Sequence, residues 1–123
     1  MSQQMEDICN LLSPTIGFRP NNCLLNYYEN GNSKIGFHGD TIKMLEPDTG
    51  IAIVSLGDSR IFQVRRKSSP TECYNYVLPS GSLFYMPNDI QEDWQHGVPK
   101  VISDLGRISL TFRKMIPRHL LEK

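Results

Sequence analysis

Short segments of alternating hydrophobic and polar residues follow one another from residue 22 onward. An alternation with a period of two is typical of a β-strand with one buried face. Seven segments have this β-rich pattern: residues 22–28, 34–38, 51–57, 60–66, 73–79, 82–86 and 107–114. Residues 94–98 are a candidate for an eighth. Seven or eight strands without a long helical pattern between them predict a sandwich, barrel or jelly roll.

The first dozen residues follow a helical pattern instead. Met5, Ile8, Leu11 and Leu12 recur at helical spacing, and Pro14 limits how far a helix can extend. The sequence therefore predicts a short amphipathic helix before the strands.

The strongest turn signal is Asn30-Gly31, between the first two predicted strands. Both residues accept a positive φ, which the tight turns of β-hairpins require. The dipeptide therefore predicts a hairpin at this point. Proline, glycine and serine punctuate the later strands at residues 47–50, 68–70 and 79–81.

Composition excludes several classes of protein. The 123 residues are enough for one domain, and 39% hydrophobic with 21% charged residues is typical of a globular chain. Lys+Arg 13 and Asp+Glu 13 give no net charge, which disfavours a protein that binds nucleic acid by neutralising many phosphates. Cys9, Cys23 and Cys73 form no CxxC pair, which excludes a cysteine-rich zinc site and fits reduced thiols. With no signal peptide and no apolar run of roughly 18 residues, we expect a cytoplasmic protein that is neither secreted nor membrane-bound.

Histidine and aspartate supply the candidate metal ligands. His38 and Asp40 lie on the same side of a strand if that strand continues far enough, and imidazole with carboxylate suits iron, manganese or zinc. His96 can complete a set of two histidines and one carboxylate, which leaves coordination positions open for small ligands. The alternative is a hydrogen-bonded histidine at a strand end beside a solvated aspartate. His119, in a basic tail, is predicted to be a surface residue.

Two arginines lie on one face of the last predicted strand. Arg107 and Arg113 point to the same side, and the opposite face of this strand is apolar. Arginine binds carboxylates in a planar, bidentate manner, so this strand is a candidate site for a dicarboxylate. The same spacing recurs within residues 60–67, which we interpret as a solvated edge strand.

Together these motifs resemble the AlkB family of Fe(II)- and 2-oxoglutarate-dependent dioxygenases. The segment CLLNYYENGNSKIGFHGD is similar to the family's Asn-x-Tyr strand, turn and HxD strand. SLGDSRIFQVRRK and LPSGSLFYM resemble the intervening strands, and RISLTFR resembles the arginine strand. The motifs occur in the family's order and the resemblance covers about residues 20 to 116.

The resemblance implies a mainly β protein, a double-stranded β-helix (jelly roll) with a short N-terminal helix. It implies that His38, Asp40 and His96 hold Fe(II). It also implies oxidative demethylation with O2 and 2-oxoglutarate as cosubstrates, releasing formaldehyde, succinate and CO2.

The resemblance also implies a set of 2-oxoglutarate ligands. Arg107 and the Tyr28 hydroxyl would bind the far carboxylate, while Asn26 and Arg113 would hold the end that chelates iron. The family usually carries asparagine where Ser109 stands here. A serine hydroxyl can still donate to the cosubstrate, although its reach is shorter.

The expected organisation is one domain over residues 1–123. Residues 1–20 are a helical lead-in or the remnant of a lid, residues 21–116 are the β core and residues 117–123 are a basic tail. A core this short resembles the AlkB-like domains in the replication polyproteins of some plant RNA viruses. Tyr27, Tyr85 and Trp94 are the candidates for stacking on a substrate base.

We therefore expect a monomeric enzyme that demethylates N-alkylated bases of single-stranded nucleic acid, with RNA slightly ahead of DNA. If the protein is viral, it would act in the host cytoplasm. One alternative is a 2-oxoglutarate-dependent hydroxylase of a protein or small molecule. The other is a non-catalytic β-barrel that binds RNA or a partner protein.

Overall fold

The computed structural model describes residues 1–40 and 42–121, so residues 122 and 123 of the predicted basic tail lie outside it. Helix α1 spans Gln3–Ile16 and helix α2 spans Arg118–Leu121. The strands are β1 (Asn22–Tyr28), β2 (Ile35–His38), β3 (Gly50–Gly57), β4 (Arg60–Arg66), β5 (Ser69–Leu78), β6 (Leu83–Pro87), β7 (Trp94–Val98) and β8 (Arg107–Arg113). Every predicted strand is present, including the eighth.

The strands form two antiparallel four-stranded sheets, with the orders β1-β8-β3-β6 and β2-β7-β4-β5. Only β4 and β5 are consecutive strands that pair with each other; the other consecutive strands lie in different sheets. The two sheets enclose an apolar core that includes Ile51, Phe62 and Met86. Repeated crossing between two facing sheets is the topology of a jelly roll, so the predicted fold class is confirmed.

Helix α1 packs on the outer face of the first sheet. The hydroxyl of Ser2 caps its N-terminus, and Gly17, at φ 86°, ends the helix three residues after Pro14. Cys9 and Leu12 are buried against the outward side of β8, whereas Leu11 is 76% exposed and does not belong to the buried stripe. The helix therefore lies behind the sheet and does not cover the space between the sheets. Among the described residues, no helix has the length and apolar character needed to span a membrane.

The prediction of a hairpin at Asn30-Gly31 is wrong. β1 pairs with β8 and β2 pairs with β7, so this turn carries the chain from one sheet to the other. Neither residue has a positive φ. Position 31 needs a glycine because its backbone lies close to the segment after β7, with which it exchanges two hydrogen bonds. A Cβ at this position would lie 2.0 Å from the Val101 carbonyl oxygen.

The interpretation of residues 60–67 as a solvated edge strand is also wrong. β4 lies between β7 and β5. Arg60 is only 2% exposed, and its terminal nitrogens donate hydrogen bonds to the carbonyls of Asn30, Ser33 and Pro99. This arginine therefore holds two connecting segments against the end of the second sheet.

Candidate active site

The three predicted metal ligands lie together in the second sheet. His38 is the last residue of β2 and is directly opposite His96 of β7, while Asp40 follows two residues after His38. The Asp40 carboxylate is 3.7 Å from His38 Nε2 and 3.5 Å from His96 Nε2, and one ligand atom of each residue lies within 4.8 Å of the others. Ligand atoms that share one ion are about 3 Å apart. Small side-chain rotations are therefore sufficient for these residues to hold one metal ion.

Neighbouring groups orient two of these ligands. His38 Nδ1 is 2.9 Å from the Gly36 carbonyl oxygen, so Nδ1–H donates there and Nε2 is left free to bind a metal. The backbone N–H of Asp40 donates to Oε1 of the buried Gln91, at 3.2 Å. Gln91 belongs to a short 3-10 helix at Asn88–Gln91, which thus supports the segment that carries the carboxylate.

His96 is held in its neutral form. It is 6% exposed and stacks on Phe62 at a centroid distance of 5.4 Å. Burial lowers the pKa of His96 to about 4, against the opposing effect of the Asp40 charge, and His38 and Arg113 lower it further. The imidazole is therefore unprotonated at neutral pH, which is the state that binds a metal ion.

The cavity beside the metal ligands ends at a buried cation. Arg107 is 2% exposed, and its guanidinium lies 4.8 Å from the centre of the Tyr28 ring. One terminal nitrogen donates to the Ser55 hydroxyl at 2.8 Å, but Nε and Nη1 have no hydrogen-bond partner among the described residues. Burial lowers the pKa of Arg107. A buried cation with unused donors is costly unless an anion pairs with it, so this end of the cavity is suited to a carboxylate.

All eight predicted site residues line this one cavity of about 70 Å3: Asn26, Tyr28, His38, Asp40, His96, Arg107, Ser109 and Arg113. Asn26 of β1 is directly opposite Ser109 of β8, so the two side chains lie on the same face of the first sheet. This polar face lines the cavity. The apolar residues of β8 point the other way, toward α1.

Three residues around this site were not identified from the sequence. Ser55 accepts a hydrogen bond from Arg107, Gln91 supports Asp40, and Phe62 stacks on His96. The alternation of β3 and β4 indicates which way Ser55 and Phe62 point, but only strand pairing identifies what they contact. Gln91 lies outside the strands and has no periodic signal.

The three stacking candidates do not share one place. Tyr27 is 65% exposed on the outward side of β1, away from the metal ligands. Tyr85 is half-buried beside Phe18, at a ring distance of 6.3 Å. Trp94 precedes His96 by two residues on β7 and, like Tyr85, lines a cleft that is separate from the metal cavity.

Comparison with known proteins gives one family match. A family model described as the 2OG-Fe(II) oxygenase superfamily matches residues 1–113. The solved structure of OsALKBH1 superposes with a TM-score of 0.71 at 19% identity, covering 93% of this chain and 66% of that one, which supports the jelly-roll fold.

Curated relatives are of three kinds. The human alpha-ketoglutarate-dependent dioxygenase alkB homolog 3 is 36% identical over 121 residues, covering 88% of this chain and 41% of the human protein. The mouse DNA oxidative demethylase ALKBH2 is 33% identical over 120 residues, covering 89% and 48%. The RNA replication polyprotein of Citrus leaf blotch virus is 34% identical over 98 residues, covering 79% and 5%. The chain thus spans less than half the length of these relatives, and the predicted resemblance to AlkB proteins is confirmed.

Proposed function

Because the chain belongs to the 2OG-Fe(II) oxygenase superfamily, we propose that it oxidatively demethylates N-alkylated nucleobases as an Fe(II)/2-oxoglutarate-dependent dioxygenase. One observation carries the proposal. A single cavity contains both a cluster of two histidines and a carboxylate and a buried arginine with unused donors. Such a cavity suits a metal ion at one end and a small dicarboxylate at the other.

His38, Asp40 and His96 are proposed to hold the iron. Two imidazoles and one carboxylate are the ligand set of non-haem Fe(II) oxygenases, and they leave coordination positions for O2 and 2-oxoglutarate. The bound iron supplies oxidation of the methyl group, which leaves as formaldehyde while 2-oxoglutarate becomes succinate and CO2. The neutral His96 and the hydrogen bond from His38 to a backbone carbonyl support this role.

The first sheet is proposed to bind 2-oxoglutarate. Arg107, with Tyr28 beside it, pairs with the far carboxylate, and Asn26, Ser109 and Arg113 hold the end nearest the iron. The support is chemical: a dianion in a small cavity requires fixed cations and hydrogen-bond donors. The two unused nitrogens of Arg107 are donors of this kind.

Apolar side chains complete the cavity wall and restrict water. Ile35 and Val98 contribute from the second sheet, Ile53 from the first, and Phe62 covers one face of His96. Excluding water strengthens the electrostatic contacts within the site and limits side reactions of the oxidant. The chain's own contribution is therefore orientation of the bound groups against a partly apolar wall.

RNA is proposed as the preferred substrate, with single-stranded DNA second. The similarity to a viral RNA replication polyprotein supports RNA, and the similarity to a DNA oxidative demethylase supports DNA. A base must leave a duplex or already be unpaired to reach a cavity of this size. We further propose that the protein acts as a monomer in the cytoplasm, which is the host cytoplasm if the protein is viral.

The test is demethylation by the purified chain. The chain is incubated with Fe(II), 2-oxoglutarate and one of three substrates: an N-methylated single-stranded RNA, a DNA of the same sequence with the same methylated base, or an N-methylated peptide. Mass spectrometry detects loss of the methyl group from each substrate, and formaldehyde release is measured in parallel. We expect loss of the methyl group from RNA first and DNA second. Demethylation of the peptide alone would overturn the nucleic-acid assignment, and no succinate with any substrate would overturn the enzyme assignment.

A further inference from the structure

A second and larger cleft opens between β5 and β6, the edge strands of the two sheets. Its volume is about 520 Å3, compared with about 70 Å3 for the cavity at the metal ligands. Tyr74 and Tyr76 on β5, Phe84 on β6 and Trp94 on β7 supply its aromatic wall. We refer to it as the aromatic cleft.

A row of packed rings separates the aromatic cleft from the metal ligands. His96 stacks on Phe62 at 5.4 Å, Phe62 packs on Phe84 at 4.9 Å, and Phe84 packs on Tyr76 at 5.0 Å. Trp94 and His96 are two residues apart on β7, so both side chains point to the same side of the sheet. The metal cavity and the cleft are therefore two neighbouring openings on the same side of the second sheet, and a strand that places one base in the first can place a nearby base in the second.

The tyrosines of the cleft are not core residues. Tyr74 is 49% exposed and Tyr76 is 43% exposed, although both lie on the side of β5 that faces the other sheet. Helix α1 lies on the far side of the first sheet and does not cover them. Exposed aromatic groups that line a concave surface are typical of a binding site.

A cation accompanies the aromatic rings. The guanidinium of Arg66 lies 4.4 Å from the centre of the Trp94 ring. Glu72 fixes it in place by accepting a hydrogen bond from Nε at 2.8 Å, and the arginine side chain remains 37% exposed. Aromatic rings and guanidinium planes are the groups on which unpaired bases stack.

We propose that the aromatic cleft binds a base of a single-stranded nucleic acid, next to the base that reaches the metal site. Tyr74 and Tyr76 provide the stacking surfaces, and Arg66 provides a cation close to the strand. This inference rests on the proposed function, because it assigns the path of the substrate strand. The chain has no net charge, so the affinity comes from base stacking more than from neutralised phosphates.

The test measures binding apart from catalysis. The chain, loaded with Mn(II) and 2-oxoglutarate, is titrated with an unmethylated single-stranded oligonucleotide of about ten nucleotides and with an abasic strand of the same length. Trp94 is the single tryptophan of the sequence, so its fluorescence reports on the cleft directly. We expect the base-containing strand to quench Trp94 and to bind at least about tenfold more tightly than the abasic strand.

Three variants localise the binding. Tyr76→Leu should weaken binding about tenfold, the loss expected for one stacking surface. Tyr76→Phe retains the ring, so its affinity for the oligonucleotide should stay within about twofold of that of the original protein. The same is expected of Tyr27→Leu, which removes an exposed tyrosine outside the cleft. The proposal would be overturned by any of three results. These are equal oligonucleotide affinities of Tyr76→Leu and Tyr27→Leu, equal affinities of the original protein for the abasic and base-containing strands, and preferential binding of an N-methylated peptide.

Succinate formation without any nucleic acid separates this inference from the proposed function. If the original protein forms succinate but the variants bind the oligonucleotide equally, the cleft assignment alone fails. If the Fe(II)-loaded protein forms no succinate under any condition, the proposed function itself fails.

Discussion

Replacing Arg107 by methionine should stabilise the protein while removing most of its response to 2-oxoglutarate. The guanidinium is 2% exposed, and two of its nitrogens have no partner among the described residues. Each buried, unsatisfied donor costs about 2 kcal/mol. Arg107→Met removes both, and it loses one hydrogen bond to Ser55 and one cation–π contact with Tyr28, worth about 1 kcal/mol each. The free energy of unfolding without ligands should therefore rise by about 2 kcal/mol, or roughly 8 °C in Tm.

The ligand response should change in the opposite direction. In the original protein, 2-oxoglutarate at about 100 times its Kd should add roughly 2.7 kcal/mol to the free energy of unfolding. Loss of a buried charge partner weakens binding by about 2 to 5 kcal/mol, which is at least about 30-fold in Kd. At the same 2-oxoglutarate concentration, Arg107→Met should therefore keep no more than about a third of the increase in Tm that metal and 2-oxoglutarate give the original protein.

Arg60 is the matched control, because it is equally buried and also lies near Tyr28, at 5.5 Å from the ring centre. Its terminal nitrogens are used by three backbone carbonyls. Arg60→Met removes the donor from all three carbonyls, of which that of Asn30 still accepts from the Ser33 N–H, and should lower the Tm. Thermal unfolding with and without metal and 2-oxoglutarate measures both variants. If Arg107→Met lowers the Tm as Arg60→Met does and keeps the full ligand response, Arg107 is not an unpaired cation that awaits a carboxylate.

Three further predictions concern the metal ligands and one turn. The pKa of His96 is about 4 in the folded protein against 6.5 normally, so the unfolded chain takes up the proton first. The metal-free protein should lose about 1.4 kcal/mol of unfolding free energy per pH unit as the pH falls from 6.5 to 4, measured by urea unfolding. In His96→Gln the unfolding free energy should depend less on pH over the same range. Gln91→Ala removes the acceptor of the Asp40 N–H and should weaken metal affinity at least about tenfold in a metal titration. Gly31→Ala places a Cβ 2.0 Å from a backbone oxygen and should cost about 3 kcal/mol or more in urea unfolding. At Gly36 an added Cβ meets nothing within 4 Å, so Gly36→Ala should change the free energy of unfolding by less than about 0.5 kcal/mol.

The strands and the shared face of some candidate site residues could be predicted because both depend on local pattern. A period of two indicates which side chains share a face, and this places Arg107 and Arg113 together without knowledge of the pairing. His38 and Asp40 also lie together, but β2 ends at His38, so their proximity comes from the short spacing and not from alternation along a strand. These relations need only a few consecutive residues, so the fold does not alter them.

What the sequence did not predict depends on pairing between distant strands. Arg60 shares the buried face of β4 with Phe62 and Val64, but the carbonyls that accept its hydrogen bonds lie in connecting segments about 30 to 40 residues away in the sequence. Asn30-Gly31 has the local features of a hairpin, but β1 pairs with β8, whose residues lie 79 to 91 positions away from their partners in the sequence. The aromatic cleft likewise combines residues of four strands, and no segment of the sequence contains its pattern.

Succinate formation shows whether the metal ligands and the buried arginine act together as one site. The purified chain is supplied with Fe(II), O2 and 2-oxoglutarate and compared with Asp40→Ala, Arg107→Ala and the exposed control Asp104→Ala. We predict that the original protein and Asp104→Ala form succinate at similar rates. Asp40→Ala, which loses a metal ligand, and Arg107→Ala, which leaves the dicarboxylate without its cation, should form none. Equal succinate formation by all four proteins would contradict the assignment of the site.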